Sequence, residues 1–324
     1  MHNIIGFKNK PELEGLSEIA VSESGMFEAG KDGVKRILVP GDKKCEFISY
    51  NDKTLCYVKS AMGAPAIYPL ADPEYCGKAK ALLMDLDGTS VKSEHFWMWI
   101  IEQSMARLIG KPRFQLEAAD EPHVSGHSVS EHLQYCIDKY CPGKPLSEAR
   151  THYFDVTEYE MNEILEGRGK DGAFTPAENL KEFLYEVKGK GIKIGLVTSG
   201  LYNKAFPEIL SAFKTLNMGD PLEFYDCIIT AGFALKKGQC GTLGELAPKP
   251  HPWLYSETAK IGLGLTDDNK NAILGVEDSS AGIISIRLAG YTAIGLTDGN
   301  IQKSGVQSLC NKEIDKLEEL LKII

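Results

Sequence analysis

The chain has 324 residues, of which 43% are hydrophobic and 25% charged, and its formal net charge is -9. That balance excludes a disordered, collagenous or purely coiled-coil chain, and the length suits two domains or one domain with a large insertion. An acidic chain without a Lys/Arg cluster is not expected to bind nucleic acid, and no run of about 18 apolar residues is present to span a membrane.

Residues 1–78 are short apolar runs broken by turn residues. Val34–Val39 and Cys45–Tyr50 read as strands separated by Pro40-Gly41. Leu55–Val58 follows Asn51-Asp52 and suits a hairpin. From about residue 79 the texture changes. Ala81–Asp85, Ile192–Val197, Cys227–Thr230, Ala272–Val276 and Thr292–Leu296 are near-continuous apolar runs, as expected of parallel strands covered on both faces. Helical periodicity lies between most of them, for example in Ala177–Val187, where Leu180, Phe183, Leu184 and Val187 share a face. Strands alternating with helices imply an α/β fold with a parallel sheet.

The gap between the first two of these strands is too long for one crossover. It is helix-rich, with Ser128 and Glu131 spaced as a capping box, and reads as an inserted helical domain. The division expected is an N-terminal β-containing extension at 1–78, a core at 79–97 and 173–324, and a helical insertion at 98–172. The last residues, NKEIDKLEELLKII, read as an amphipathic helix covering the sheet.

The strand ends carry the chemistry, because sites in open α/β sheets form at the carboxyl ends of strands. Asp85-Leu86-Asp87-Gly88-Thr89 places two acids one residue apart, with a glycine for a sharp departure. Val197-Thr198-Ser199-Gly200 offers hydroxyls and backbone N–H groups suited to a phosphate, although Ser and Thr there often only cap a helix. Lys249 is flanked by Pro248 and Pro250. Glu277-Asp278 adds two carboxylates at a further strand end. Acids gathered in this way repel unless a cation sits among them, and hard oxygen donors suit Mg²⁺ beside a phosphoryl group.

These four motifs, in this order, resemble the haloacid dehalogenase superfamily. The likeness is to the branch with a helical cap between the first and second motifs, which includes β-phosphoglucomutase and phosphoglycolate phosphatase. It covers about residues 79–324, is weak across the cap, and is absent from the first 78 residues. It implies a Rossmann-like core with helices on both faces and a phosphatase acting on a small phosphorylated metabolite, such as a sugar phosphate or a phosphoglycolate-like compound. Asp85 would be the nucleophile forming an aspartyl-phosphate, and Asp87 the acid and base. Thr198 and Lys249 would contact the phosphoryl group. Mg²⁺ would be held by Asp85, the Asp87 carbonyl, Asp278 and, directly or through water, Glu277. Gly88 and Thr89 would begin a gating turn, with Ser199 and Gly200 near the substrate. An acid at position 87 suits an oxygen leaving group, which favours phosphate esters over halides. Lys92 stands where the branch usually has an acid.

A sugar phosphomutase with the same aspartyl-phosphate is the alternative enzyme, although His95 lies about two residues from where the mutases carry a cap histidine. A binding or oligomerisation role centred on residues 1–78 is the non-enzymatic alternative. Those strands would extend the core surface or form a dimer contact, so monomer and homodimer are both open. In the cap, His123, His127 and His132 do not read as a metal site. Arg168 and Lys170 read as solvated charges, and Phe96, Trp97 and Trp99 as packing. The stretch 231–247 reads as a surface insertion rather than a loop over the pocket. Eight scattered cysteines without a C-x-x-C pair, and no signal-peptide-like start, suggest a cytoplasmic protein with reduced thiols.

Overall fold

The computed structural model describes residues 4, 6–8, 15–59, 65–120, 124, 129–170, 172–231 and 247–324, and, of these, every side chain but that of residue 131. The chain divides into two compact units. The first is Met1–Ser90, Ala177–Ala205 and Met218–Ile324, and the second is Val91–Pro176 with Phe206–Asn217.

The first unit opens with an antiparallel sheet of β1 (Leu16–Ile19), β2 (Arg36–Pro40), β3 (Cys45–Ser49), β4 (Thr54–Val58) and β5 (Ala66–Pro69), in that spatial order. The Asn51-Asp52 turn pairs Ser49 with Thr54, as its residues suggest. The outer strands β1 and β5 escape the sequence pattern because they are short and only partly buried. This sheet is separate from the parallel sheet, yet it shares a buried apolar cluster with it. Phe7, Leu38, Phe47 and Val58 lie in one cluster with Ile283, Ile284, Ile286 and Tyr291.

After β6 (Ala81–Asp85) the chain enters the second unit. There β7 (Val91–Lys92) pairs with β8 (Thr175–Pro176), and between them run α1 (Glu94–Ile109), α2 (Val129–Tyr140) and α3 (Leu146–Leu165). Gly110 ends α1 in the left-handed region, its N–H reaching the carbonyls of Ala106 and Arg107. The rings of Phe96, Trp97 and Phe174 pack on one another, and Trp97 Nε1 donates to Glu208 at 3.1 Å, so the aromatic cluster is packing, as expected. Ser128 and the Glu131 side chain, the capping-box pair, lie outside the described residues, as do His123, His127 and most of the 231–247 stretch.

The first unit resumes with α4 (Leu180–Gly189), whose buried residues are the four the periodicity singles out. Then come β9 (Lys193–Val197), α5 (Tyr202–Leu216), which passes from the first unit to the second at Phe206, α6 (Pro221–Phe224) and β10 (Cys227–Ile229). The chain ends through α7 (Trp253–Glu257), β11 (Ile273–Glu277), α8 (Ser280–Leu288), β12 (Thr292–Leu296) and β13 (Lys312–Ile314). Six strands pair in the order β10-β9-β6-β11-β12-β13, all parallel. Every residue of β6, β11 and β12 is buried, which accounts for their apolar sequences. The order runs outward in both directions from β6. Its carboxyl end is therefore the topological switch point, where sites form in open α/β sheets.

The expected C-terminal helix is not formed. Residues Lys312–Ile314 add the edge strand β13, and Leu317–Lys322 form a 3₁₀ turn closed by Glu319, which accepts from the N–H groups of Asp315 and Lys316. The buried residues Ile314, Leu317 and Leu320 are spaced by three. An α-helix offers that spacing, but a strand end followed by a 3₁₀ turn buries the same residues. Among the described residues no helix is long and apolar enough to cross a membrane.

A candidate active site at the switch point

Asp85 is the last residue of β6 and is buried. The chain then turns away through Gly88 at φ 85°, and Ser90 Oγ donates to the Asp85 carbonyl at 2.5 Å, tying the turn down. A Cβ on Gly88 would fall within the Asp278 carboxylate, so only glycine lets the turn lie this close to the next strand end. Register does the rest. Asp85 pairs with Val197, the residue before Thr198, while Met84 pairs with Val276, the residue before Glu277. Three strand ends thus converge.

Lys249 reaches the same point from a turn closed by the His251 N–H to the Pro248 carbonyl, with a cis Lys249–Pro250 bond. The Lys249 N–H donates to Ser199 Oγ at 3.2 Å. Its ammonium, almost fully buried, bonds Asp85 Oδ1, lies 2.6 Å from Glu277 Oε1 and donates to the Val197 carbonyl at 3.3 Å. Glu277 is wholly enclosed. Tyr255 Oη donates to its Oε1 at 2.8 Å, and Ser279 Oγ to its Oε2 at 2.9 Å.

The electrostatics follow from burial. Desolvation and the neighbouring Glu277 push the Asp85 carboxyl well above its ordinary value, and the charge of Lys249 offsets this only in part. Burial works against the Lys249 charge too, but Asp85 and Glu277 outweigh it and hold the ammonium above its usual value. Burial, and then Glu277 and Asp85, push the Tyr255 phenol up, so it stays a proton donor to Glu277. Carboxylate oxygens of Asp85, Glu277 and Asp278 lie within 4.8 Å of one another, the one such cluster among the described residues. The donor set fits a divalent cation. It is all oxygen and crowded with negative charge, and the field that raises the proton affinity of Asp85 equally favours a metal ion.

Thr89 and Thr198 lie beside this centre. Thr89 Oγ1 donates to Asp278 Oδ1 at 3.3 Å. Thr198 is buried, and its Oγ1 accepts from the Gly200 N–H at 2.9 Å. Asp87 is exposed, two residues beyond Asp85. In the second unit Arg168 is engaged by Glu163 and Glu166, and Lys170 lies 4.6 Å from the Trp99 ring centroid, consistent with surface charges. His132 packs against Tyr153. Seven cysteines outside the undescribed stretches are free thiols.

Four residues at the site have a role that the sequence did not show. Tyr255 and Ser279 hold Glu277, Ser90 ties the first turn, and Asn300 holds the last. Asn300 accepts from the Ser280 N–H through Oδ1 at 2.7 Å, and its own N–H donates to the Asp278 carbonyl at 3.0 Å. Asp298-Gly299-Asn300, just after β12, was a legible signal at a strand end left unread. A Cβ on Gly299 would meet the Asp278 backbone. Nothing in the sequence marks Tyr255.

A model of the haloacid dehalogenase-like hydrolases matches residues 79–290. No curated protein sequence matches the chain. Among solved structures, the chain is similar to a predicted phosphoglycolate phosphatase from Haemophilus somnus, at 19% identity and TM-score 0.58 over 76% of this chain and 97% of that one. It is also similar to CbbY from Rhodobacter sphaeroides in complex with phosphate, at 16% identity and TM-score 0.52 over 75% and 96%. A third is a family IA, variant 3 hydrolase from Entamoeba histolytica, at 18% identity and TM-score 0.53 over 74% and 94%. At these identities the structural likeness establishes the fold.

Proposed function

The chain belongs to the haloacid dehalogenase-like hydrolase family, and on that premise we propose that it is a Mg²⁺-dependent phosphatase of small phosphorylated metabolites, working through an aspartyl-phosphate on Asp85. The observation that carries the reading is the gathering of Asp85, Glu277 and Asp278 around one point with the Lys249 ammonium against two of them. Asp85 and Asp278, with the Asp87 carbonyl, would hold the ion. When bound, it would neutralise charge on the phosphoryl oxygens and the nucleophile.

The chain's own groups supply the rest. Asp85 presents a carboxylate oxygen whose lone pair forms the bond to phosphorus as the ester bond breaks. The leaving oxygen departs with that electron pair and takes a proton from Asp87. Water then attacks phosphorus, gives its proton to Asp87, and releases phosphate with the Asp85 carboxylate restored. Lys249 favours the ionised form of Asp85 against burial and Glu277 and stabilises charge on the transferring group, and the Thr198 hydroxyl is free to donate its hydrogen while accepting from Gly200. Glu277, held by Tyr255 and Ser279, serves chiefly to fix Lys249. CbbY was obtained with phosphate, which supports a phosphorylated substrate class.

Hydrolysis of an aryl phosphate by the purified protein tests this. Turnover should require Mg²⁺, stop on chelation, and vanish in Asp85→Asn while the variant remains folded. Undiminished turnover in Asp85→Asn would remove the reading.

A further inference from the structure

The first 78 residues have no counterpart in the four motifs, yet one of their side chains reaches the segment that carries Lys249. Tyr68, on β5, meets the His251 ring edge to face at 5.8 Å between centroids, and its hydroxyl lies 2.9 Å from His251 Nδ1. The same ring abuts Trp253 at 6.1 Å. His251 is 3% exposed, and both of its backbone polar groups are fixed. Its N–H donates to the Pro248 carbonyl at 3.1 Å, and its carbonyl accepts from Ser285 Oγ at 2.6 Å. The turn that aims Lys249 is thus held from below by α8, and from the side by a strand outside the parallel sheet. Tyr68 is its one side-chain anchor from the extension among the described hydrogen bonds. The extension is itself pinned to α8. The buried guanidinium of Arg287 donates to the carbonyls of Ala71, at 2.6 and 3.2 Å, Gly6, at 2.5 Å, and Leu309.

We infer that Tyr68 is a positioning residue for Lys249, and that the N-terminal sheet acts as a buttress of the active site through the Tyr68–His251 contact. The inference rests on the phosphatase reading only for its consequence in turnover. The geometric part stands without it. A lysine held by two carboxylates acts as designed only if its backbone is fixed, because displacing a catalytic group by about 1 Å can lower turnover by roughly a hundredfold. The neighbouring prolines limit the Lys249 backbone, but the direction of the turn as a whole is set by what grips His251.

Tyr68→Phe keeps the ring and removes only the hydroxyl. Two readings are taken on the full-length protein. The first is the rate at which an acetylating ester modifies Lys249 Nζ, read by peptide mass spectrometry and compared with Lys193, whose Nζ donates to the Leu263 carbonyl at 2.8 Å. The second is kcat and KM on the aryl phosphate. Labelling of Lys249 should rise several-fold while that of Lys193 and the Tm stay near wild type, and kcat should fall roughly tenfold with KM changed less than about twofold. His251→Leu should act in the same way, and the double variant should add little in log kcat. Unchanged protection of Lys249, an unchanged kcat, a loss confined to KM, or additive effects would each overturn the inference. Absence of turnover in the wild type would defeat the phosphatase reading alone, and the labelling would still decide this one.

Discussion

Lys249 and Gly88 show how much of the site depends on single residues. A buried ammonium against two carboxylates is stable only as a set. Removing one partner leaves an uncompensated buried charge, worth about 3–5 kcal/mol. Gly88 matters for what it lacks, since it carries the chain past Asp278 in a conformation open to glycine. Gly88→Ala should displace the Asp278 carboxylate and raise the Mg²⁺ concentration for half-maximal turnover roughly tenfold or more, the size typical when the support of a metal ligand is lost. Metal activation curves for the two proteins check this, and an unchanged curve would separate Asp278 from the ion. At this scale the sequence was informative where a residue's chemistry was tied to a strand end. Asp85 and Asp278 were legible for that reason, and Lys249 through the prolines on either side of it. Tyr255 and Tyr68 were not, because a tyrosine that holds a carboxylate or a histidine looks in sequence like any other packed ring.

Elements were legible in proportion to their burial. The five strands read from apolar runs all form, because a strand covered on both faces has no polar position to confuse the pattern. The edges β1, β5 and β13 were missed, and the last was read as a helix, because short or half-exposed strands leave a weak signal. The second unit holds a network that no pattern shows. Asp120 is fully buried and accepts from Tyr135 at 2.7 Å, from Lys139 at 2.6 Å, from the Glu117 N–H at 2.8 Å and from Tyr140. Burial opposes its charge, but the hydrogen bonds from Lys139, Tyr140, Tyr135 and Glu117 prevail and hold the carboxyl far below its ordinary value. A carboxyl whose folded value lies below its unfolded value of about 3.9 lends stability above that pH and loses it as pH falls toward the folded value. Asp120→Asn should therefore lower Tm clearly at pH 7, and the gap from wild type should narrow between pH 5 and pH 3. Thermal melts across that range check it, and a constant gap would show that the charge contributes nothing.

The whole molecule joins two sheets of different logic. The parallel sheet gathers its candidate residues where strand order reverses; the alternation of strands and helices implied the sheet and its strand ends, but not the strand order. The antiparallel sheet, whose relation to the rest was not legible, shares a core with the parallel one and is bound to α8 by the carbonyls around Arg287. A contact between residues 68 and 251, or between 6 and 287, leaves no mark on local periodicity. The account's central claim is that Asp85 takes the phosphoryl group. Acid quenching during turnover, followed by peptide mapping, tests it most directly. The phosphoryl group should be found on Asp85 and be absent when Mg²⁺ is chelated. Full turnover with Asp85 never phosphorylated, or the label on another residue, would contradict it.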